Sequence, residues 1–132
     1  MKIKNFQVFD EVNQKAVDEL MQKDLAGATA LKVVKVARKL DEILKDIHQA
    51  IKVMREKYIL KDEKGQPVHP EEAGVIQTNR VKLSDPIAFN KELSEILSVE
   101  NEIEGEQITA DEIKGVNISP KTLIILEWLI KL

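Results

Sequence analysis

"ARKLDEILKDIHQAIKVMREKY" occupies residues 37–58. Within it Ala37, Leu40, Leu44, Ile47, Ile51, Met54 and Tyr58 recur at alternating steps of three and four. That heptad rhythm gathers the apolar side chains on one narrow seam of an α-helix. The periodicity reaches back to about residue 28, so the spacing predicts one helix over about 28–58, roughly 45 Å long at about 1.5 Å per residue. Asp41 and Lys45, four apart with the acid first, support such a helix on its exposed side. The seam must face the chain's own core, a second copy, or another protein.

Outward from this helix the chain is punctuated by turn residues. Upstream, Phe6, Phe9, Val12 and Leu20 fit a helical face with Asn5 as cap, although "KIKNFQVF" also alternates enough for a short initial strand. Gly27 marks a turn, and Thr29 is the expected cap of the long helix. Downstream, "LKDEKGQPVHPEEAG" (residues 60–74) places two prolines and two glycines in a polar stretch and reads as a loop. A strand–helix–strand segment is expected over about 75–104. "VIQTNRVKL" is its β-branched first strand. "SDPIAFNKELSEIL" is its helix, capped by Ser84 or Asp85 with Pro86 in the first turn. "SVENEIEGEQI" is a second strand, expected to pair with residues 75–83. "ISPKTLIILEWLIKL" then predicts a C-terminal helix over about 119–131, with Ser119 as cap and Pro120 at its first position. It is apolar over most of its circumference and calls for burial on more than one side.

Composition narrows the function classes. With 132 residues the length fits a single domain over 1–132 that buries a core without disulfides or metals. Aromatic residues make up only 4%, so Leu, Ile, Val and Ala must form the core. There is no cysteine, which removes thiol catalysis and thiolate metal sites and fits a reducing compartment. The longest apolar run, "TLIILEWLI", is interrupted by Glu127 and falls short of the roughly 20 residues that span a bilayer. The N-terminus lacks the apolar core of a signal peptide. The expected location is the cytoplasm, that of a host cell if the chain is viral, with incorporation into a virion left open. Residues 1–60 hold 12 Lys+Arg against 9 Asp+Glu (+3), and residues 61–132 hold 8 against 14 (−6). An acidic C-terminal half argues against broad nucleic-acid binding.

The chemistry-bearing residues read as structural. His48 flanks the seam with Leu44 and Lys52 four residues away on either side, and no acid among them. His69 precedes Glu71 and Glu72, a donor set that could hold a divalent ion, but at a spacing matching no familiar site. Ser84 and Ser119 are explained as helix caps, and no G-x-S-x-G turn or glycine-rich phosphate loop occurs. One basic stripe stands out: Lys32, Lys35, Arg38 and Lys39 lie along one side of the long helix and could contact phosphates. It has no interleaved aromatic or amide side chain to stack on or read bases. No catalytic residue, cofactor site or metal site is assigned.

Three segments carry a resemblance: "KVARKLDEILKDIHQAIKVMREKYILKDEKGQP" (35–67), "AFNKELSEILSVENEIE" (88–104) and "IKGVNISPKTLIILEWLI" (113–130). In this order they resemble a family of small proteins of undefined role encoded by siphophages and prophages of Gram-positive bacteria. The resemblance implies a phage protein, often encoded among late or tail-region genes, and supplies no active-site residues.

The reading is therefore an α+β fold, mostly helical, with one long heptad helix, two or three shorter helices and a small two-stranded antiparallel sheet. The leading function is a non-enzymatic interaction or assembly protein, self-associating through its amphipathic helices. One alternative is a host-directed inhibitor of a host enzyme, with the acidic "ENEIEGE" (100–106) mimicking nucleic acid. The other is a nucleic-acid-binding module using the basic stripe.

Overall fold

A computed structural model describes residues 1–78 and 80–132. It shows an α+β fold dominated by helices. In chain order the described elements are β1 (Lys2–Lys4), α1 (Asn5–Phe9), α2 (Glu11–Met21), α3 (Gly27–Tyr58), β2 (Glu71–Glu72), β3 (Val75–Ile76), α4 (Pro86–Ser98), β4 (Glu100–Glu102), β5 (Ile108–Thr109), a 3-10 turn (Asp111–Ile113), α5 (Pro120–Ile125) and β6 (Ile130–Lys131). The chain divides into two compact units, one of Met1–Ile47 with Leu97–Leu132, the other of His48–Ile96.

The first unit holds nearly all of the core. Ile3, Val8, Leu20, Val33, Ile108, Leu126 and Leu129 are essentially sealed from solvent. Its N-terminal segment is not one helix, because Asp10 adopts an extended conformation and caps α2, its Oδ1 accepting from the Val12 N–H at 3.0 Å. Asn5 is not the cap of α1. Lys4 takes that place, and its backbone N–H donates to the Gln7 side chain at 2.9 Å. Asn5 is instead buried, its Oδ1 accepting from Asn101 Nδ2. That bond ties it to β4, which pairs antiparallel with β1 in the register Lys2–Glu102, Ile3–Asn101, Lys4–Glu100.

The strand expected in "SVENEIEGEQI" does exist, over Glu100–Glu102, but its partner is β1 rather than residues 75–83. Ile3 and Ile103 are both buried at that sheet, a stronger reason for pairing than the exposed Val75 and Ile76 offer.

The C-terminal segment departs most from expectation. α5 begins as read, with Ser119 accepting from the Thr122 N–H at 3.2 Å and Pro120 at the first position. It ends at Ile125 rather than about 131. Leu126, Trp128, Leu129 and Ile130 are all buried. Such a cluster cannot all face inward from a helix packed on one side. The chain turns instead, and Ile130–Lys131 pairs parallel with Ile108–Thr109. Leu129 O accepts from the Ile108 N–H at 2.9 Å, and Trp128 O accepts from Gln107 Nε2 at 3.1 Å.

The second unit comprises the end of α3, the 60–74 segment, a hairpin and most of α4. Asp62 organises the first turn, its Oδ1 accepting from the backbone of Lys64 and Gln66, both at 2.9 Å. The expected strand over 75–83 is reduced to Val75–Ile76, paired with Glu71–Glu72. Leu83 makes a separate single bridge to Ile59, and position 79 lies outside the described residues. A tight turn through Ala73 (φ 53°) and Gly74 (φ 78°) joins β2 to β3. Two successive positive φ values match the twist of a two-residue hairpin. Of the two residues offered as the cap of α4, Asp85 takes the place and Ser84 does not: Asp85 Oδ1 accepts from the Ala88 N–H at 3.0 Å, while the Ser84 backbone N–H donates to the Tyr58 carbonyl at 2.7 Å. In all, the described residues form three two-stranded sheets, two antiparallel and one parallel, where one antiparallel pair was expected.

Candidate interaction surfaces

α3 runs as the periodicity predicts, over Gly27–Tyr58. Its seam is shared between burial and half-exposure. Leu40, Ile47 and Met54 are buried, whereas Ala37, Leu44, Ile51 and Tyr58 are half-buried. In the first unit the sealed line is Val33, Val36, Leu40, Ile43 and Ile47. Those residues also recur at steps of three and four. Sequence alone offered two overlapping seams, and the one through Val33, Val36 and Ile43 was missed. A straight helix drifts about 20° per heptad against a strict seven-residue repeat, so its buried line moves round the helix along its length.

The far end of the predicted seam is engaged within its own unit. The Tyr58 ring meets Phe89 of α4 edge-on, centroids 6.1 Å apart. Beside it Lys57 Nζ donates to Glu92 at 2.8 Å. That hydrogen bond is the main cause holding the Glu92 carboxyl below its ordinary range and the Lys57 ammonium above its own.

Two of the four residues of the basic stripe pair with acids. Lys32 Nζ lies 2.8 Å from Glu112, and Lys39 Nζ lies 3.6 Å from Glu42. Lys35 and Lys39 line a cleft together with Glu102 and Glu104, so the basic face and part of the acidic "ENEIEGE" stretch adjoin. Lys35 and Arg38 remain exposed.

Glu112 is the hub of a polar cluster that sequence did not single out. Its carboxylate accepts from Lys32 Nζ at 2.8 Å, Thr29 Oγ1 at 3.0 Å and the Thr109 backbone N–H at 3.2 Å. Chiefly through Lys32, then the Thr109 amide, its carboxyl falls from 4.5 to about 2. Thr29 is not the cap of α3, because the helix already begins at Gly27. It is buried, and its hydroxyl ties the start of α3 to the 3-10 turn.

The other chemistry-bearing residues have structural partners. His69 Nδ1 sits 2.6 Å from the Arg80 carbonyl, and Glu72 pairs with the Arg80 guanidinium at 2.7 Å. Ser119 Oγ donates to Thr122 Oγ1 at 2.9 Å, which donates to Glu19 at 2.6 Å, fastening α5 to α2. His48 stands on an exposed turn of α3, beside a shallow depression of about 290 Å³ lined also by Ile51, Lys52, Arg55 and Ile59.

The two units differ sharply in core. Among the described residues of His48–Ile96, Met54 is the one apolar side chain that is fully buried. α4 buries none of its residues. Ile87 is 84% exposed, Val53 62%, Ile76 61% and Val75 60%. No helix among the described residues is long and apolar enough to cross a membrane. No protein-family model, curated protein or solved structure matches the chain.

Proposed function

We propose that this chain is a non-enzymatic interaction and assembly protein that self-associates through its second unit, His48–Ile96. One observation carries the reading. That unit leaves apolar side chains on α3, the hairpin and α4 in water, with a single fully buried apolar residue among its described residues. A small unit with so little core gains most from covering its surface. Each side chain such as Ile87 or Val53 contributes about 1.5–3 kcal/mol when fully removed from water. A second copy is the simplest occupant, because it brings the same half-buried Ile51 and the same exposed Val53 and Ile87 to a two-fold contact. Lys52 and Arg55, which flank Ile51 and Ile59, would form the polar rim. The resemblance of the three quoted segments to siphophage and prophage proteins supports a phage setting for this assembly role.

The test is solution mass by light scattering over a concentration series. The wild type is expected to exceed the 15.0 kDa of one chain as concentration rises. Ile87→Asp combined with Val53→Asp alters only exposed positions and is expected to restore the single-chain mass with unchanged far-UV circular dichroism. A wild type that stays at one chain's mass throughout overturns the proposal, as does a double variant that still associates.

A further inference from the structure

β4 has a partner along one edge only. The Asn5 N–H donates to the Val99 carbonyl at 2.9 Å, and the Ile103 N–H to the Met1 carbonyl at 2.8 Å. In the register Lys2–Glu102, Ile3–Asn101, Lys4–Glu100, the odd-numbered residues along β4 are therefore those whose backbone groups turn toward β1. The N–H and C=O of Glu100 and Glu102 point the other way. β1 and β4 are the only strands of that sheet among the described residues, so nothing pairs with this second edge. Both glutamates are exposed. An open cleft of about 440 Å³ lies beside the edge, lined by Glu102, Ile103 and Glu104 and by Lys35 and Lys39 of α3.

Side chains alternate along a strand, so Glu100, Glu102 and Glu104 share one face while Val99, Asn101 and Ile103 share the other. Ile103 is buried, but Val99 is left 51% exposed. The free edge thus combines unpaired backbone groups, a row of carboxylates and an uncovered aliphatic side chain.

β1 displays the kind of strand that fits β4. Its Lys2 and Lys4 stand opposite Glu102 and Glu100, with Lys2 Nζ 3.7 Å from the Glu100 carboxylate. Ile3, between them, is buried on the other face. Opposite charges across a strand pair and an apolar residue on the covered face are what stabilise such a pair.

We infer that the free edge of β4 is a docking site for an extended segment of another protein, added as an antiparallel strand, with Lys or Arg at alternate positions and aliphatic residues between them. Its backbone pairs with Glu100 and Glu102, and its basic side chains lie over their carboxylates. Its aliphatic side chains cover Val99 and enter the cleft. A slip of one residue would turn the basic side chains toward Lys35 and Lys39, so charge also sets the register. A second copy of β4 is a poor occupant, because it would set Glu against Glu along the edge. The inference is independent of the self-association reading, since every residue it uses lies in the other unit.

The probe is the blocked peptide acetyl-Thr-Lys-Ile-Lys-Ile-Lys-Thr-amide, titrated into the full 15N-labelled chain. The amide protons of Glu100 and Glu102 are expected to move downfield saturably at millimolar peptide. The order Thr-Lys-Lys-Lys-Ile-Ile-Thr keeps the charge but loses the alternation, and should bind about tenfold more weakly. N-methylation of the lysine backbone nitrogens removes the donors to β4 and should abolish binding, as should replacement of the lysines by glutamates. Glu102→Gln, an exposed change, should weaken the lysine peptide about two- to fivefold. No saturable shift of the two amides overturns the site. Equal binding of the reordered or the N-methylated peptide overturns strand addition in favour of diffuse charge attraction. Equal binding of the glutamate peptide, or an affinity unchanged by Glu102→Gln, overturns the assigned charge pairing.

Discussion

Replacing Trp128 with Phe isolates the polar contact at the centre of the first unit. Trp128 is 9% exposed, and its Nε1 reaches Asn13 Oδ1 at 2.9 Å. The substitution has two costs. Truncating the indole to a phenyl ring leaves a small cavity and loses packing, about 1–2 kcal/mol. It also leaves the Asn13 oxygen as unpaired as its nitrogen already is, a further 1–3 kcal/mol. The sum is about 2–5 kcal/mol, a fall in Tm on the order of 10 °C. Asn13→Leu, similar in size but apolar, removes both amide atoms and leaves only the indole N–H unpaired. In the double variant no polar atom of the pair remains. A double-mutant cycle should then show the two changes to be less than additive, with a coupling of about 1–2 kcal/mol. Urea unfolding followed by far-UV circular dichroism measures all four corners without relying on the fluorescence of Trp128. A loss below about 1 kcal/mol for Trp128→Phe, or additivity within about 0.5 kcal/mol, would refute the account of a dry, fixed hydrogen bond.

Core asymmetry predicts unequal truncations: Leu20→Ala, sealed in the first unit, should cost about 2–5 kcal/mol by urea unfolding. Leu93→Ala, half-buried in α4, should cost clearly less, and equal costs would contradict the uneven core. Ala73→Gly should raise stability by about 0.5–1 kcal/mol, because glycine relieves the left-handed φ of 53° at a small entropic cost, and a lower urea midpoint would argue against strain there. Ser119→Ala should cost about 1 kcal/mol in the same assay through loss of the α5 cap. Glu112 titrates at about 2 in the folded chain, against 4.5 when unperturbed, so its ionised form favours the folded state. That contribution is complete above about pH 4.5 and is lost as pH falls toward 2. Acid titration of thermal stability should therefore be flatter for Glu112→Gln than for the wild type across that window, and parallel curves would remove Glu112 from the acid response.

What could be read in the sequence was what is decided locally. The span of α3, the Asp85 and Ser119 caps, the first-turn prolines of α4 and α5, and the irregular stretch after Tyr58 all follow from hydrogen bonds within a few residues. Ser119 was legible as the α5 cap on the same local grounds, whereas the Arg80 carbonyl that meets His69 lies 11 residues away. Tertiary structure decided the rest. Whether Lys2–Lys4 or residues 75–83 would pair with Glu100–Glu102 depended on burying Ile3 and Ile103 at a sheet closed across nearly the whole chain. The end of α5 was set by Ile108 capturing Ile130, which no local pattern in "TLIILEWLIKL" records, because an apolar run suits a helix or a buried strand equally. The choice between two overlapping seams on α3 rested on which face its neighbours covered, and the partnership of Glu112 with Thr29 and Lys32 arose only when the 3-10 turn came to the start of that helix. A helix specifies itself through contacts between adjacent turns, whereas a strand, or a carboxylate such as Glu112, acquires its partners from groups remote in sequence.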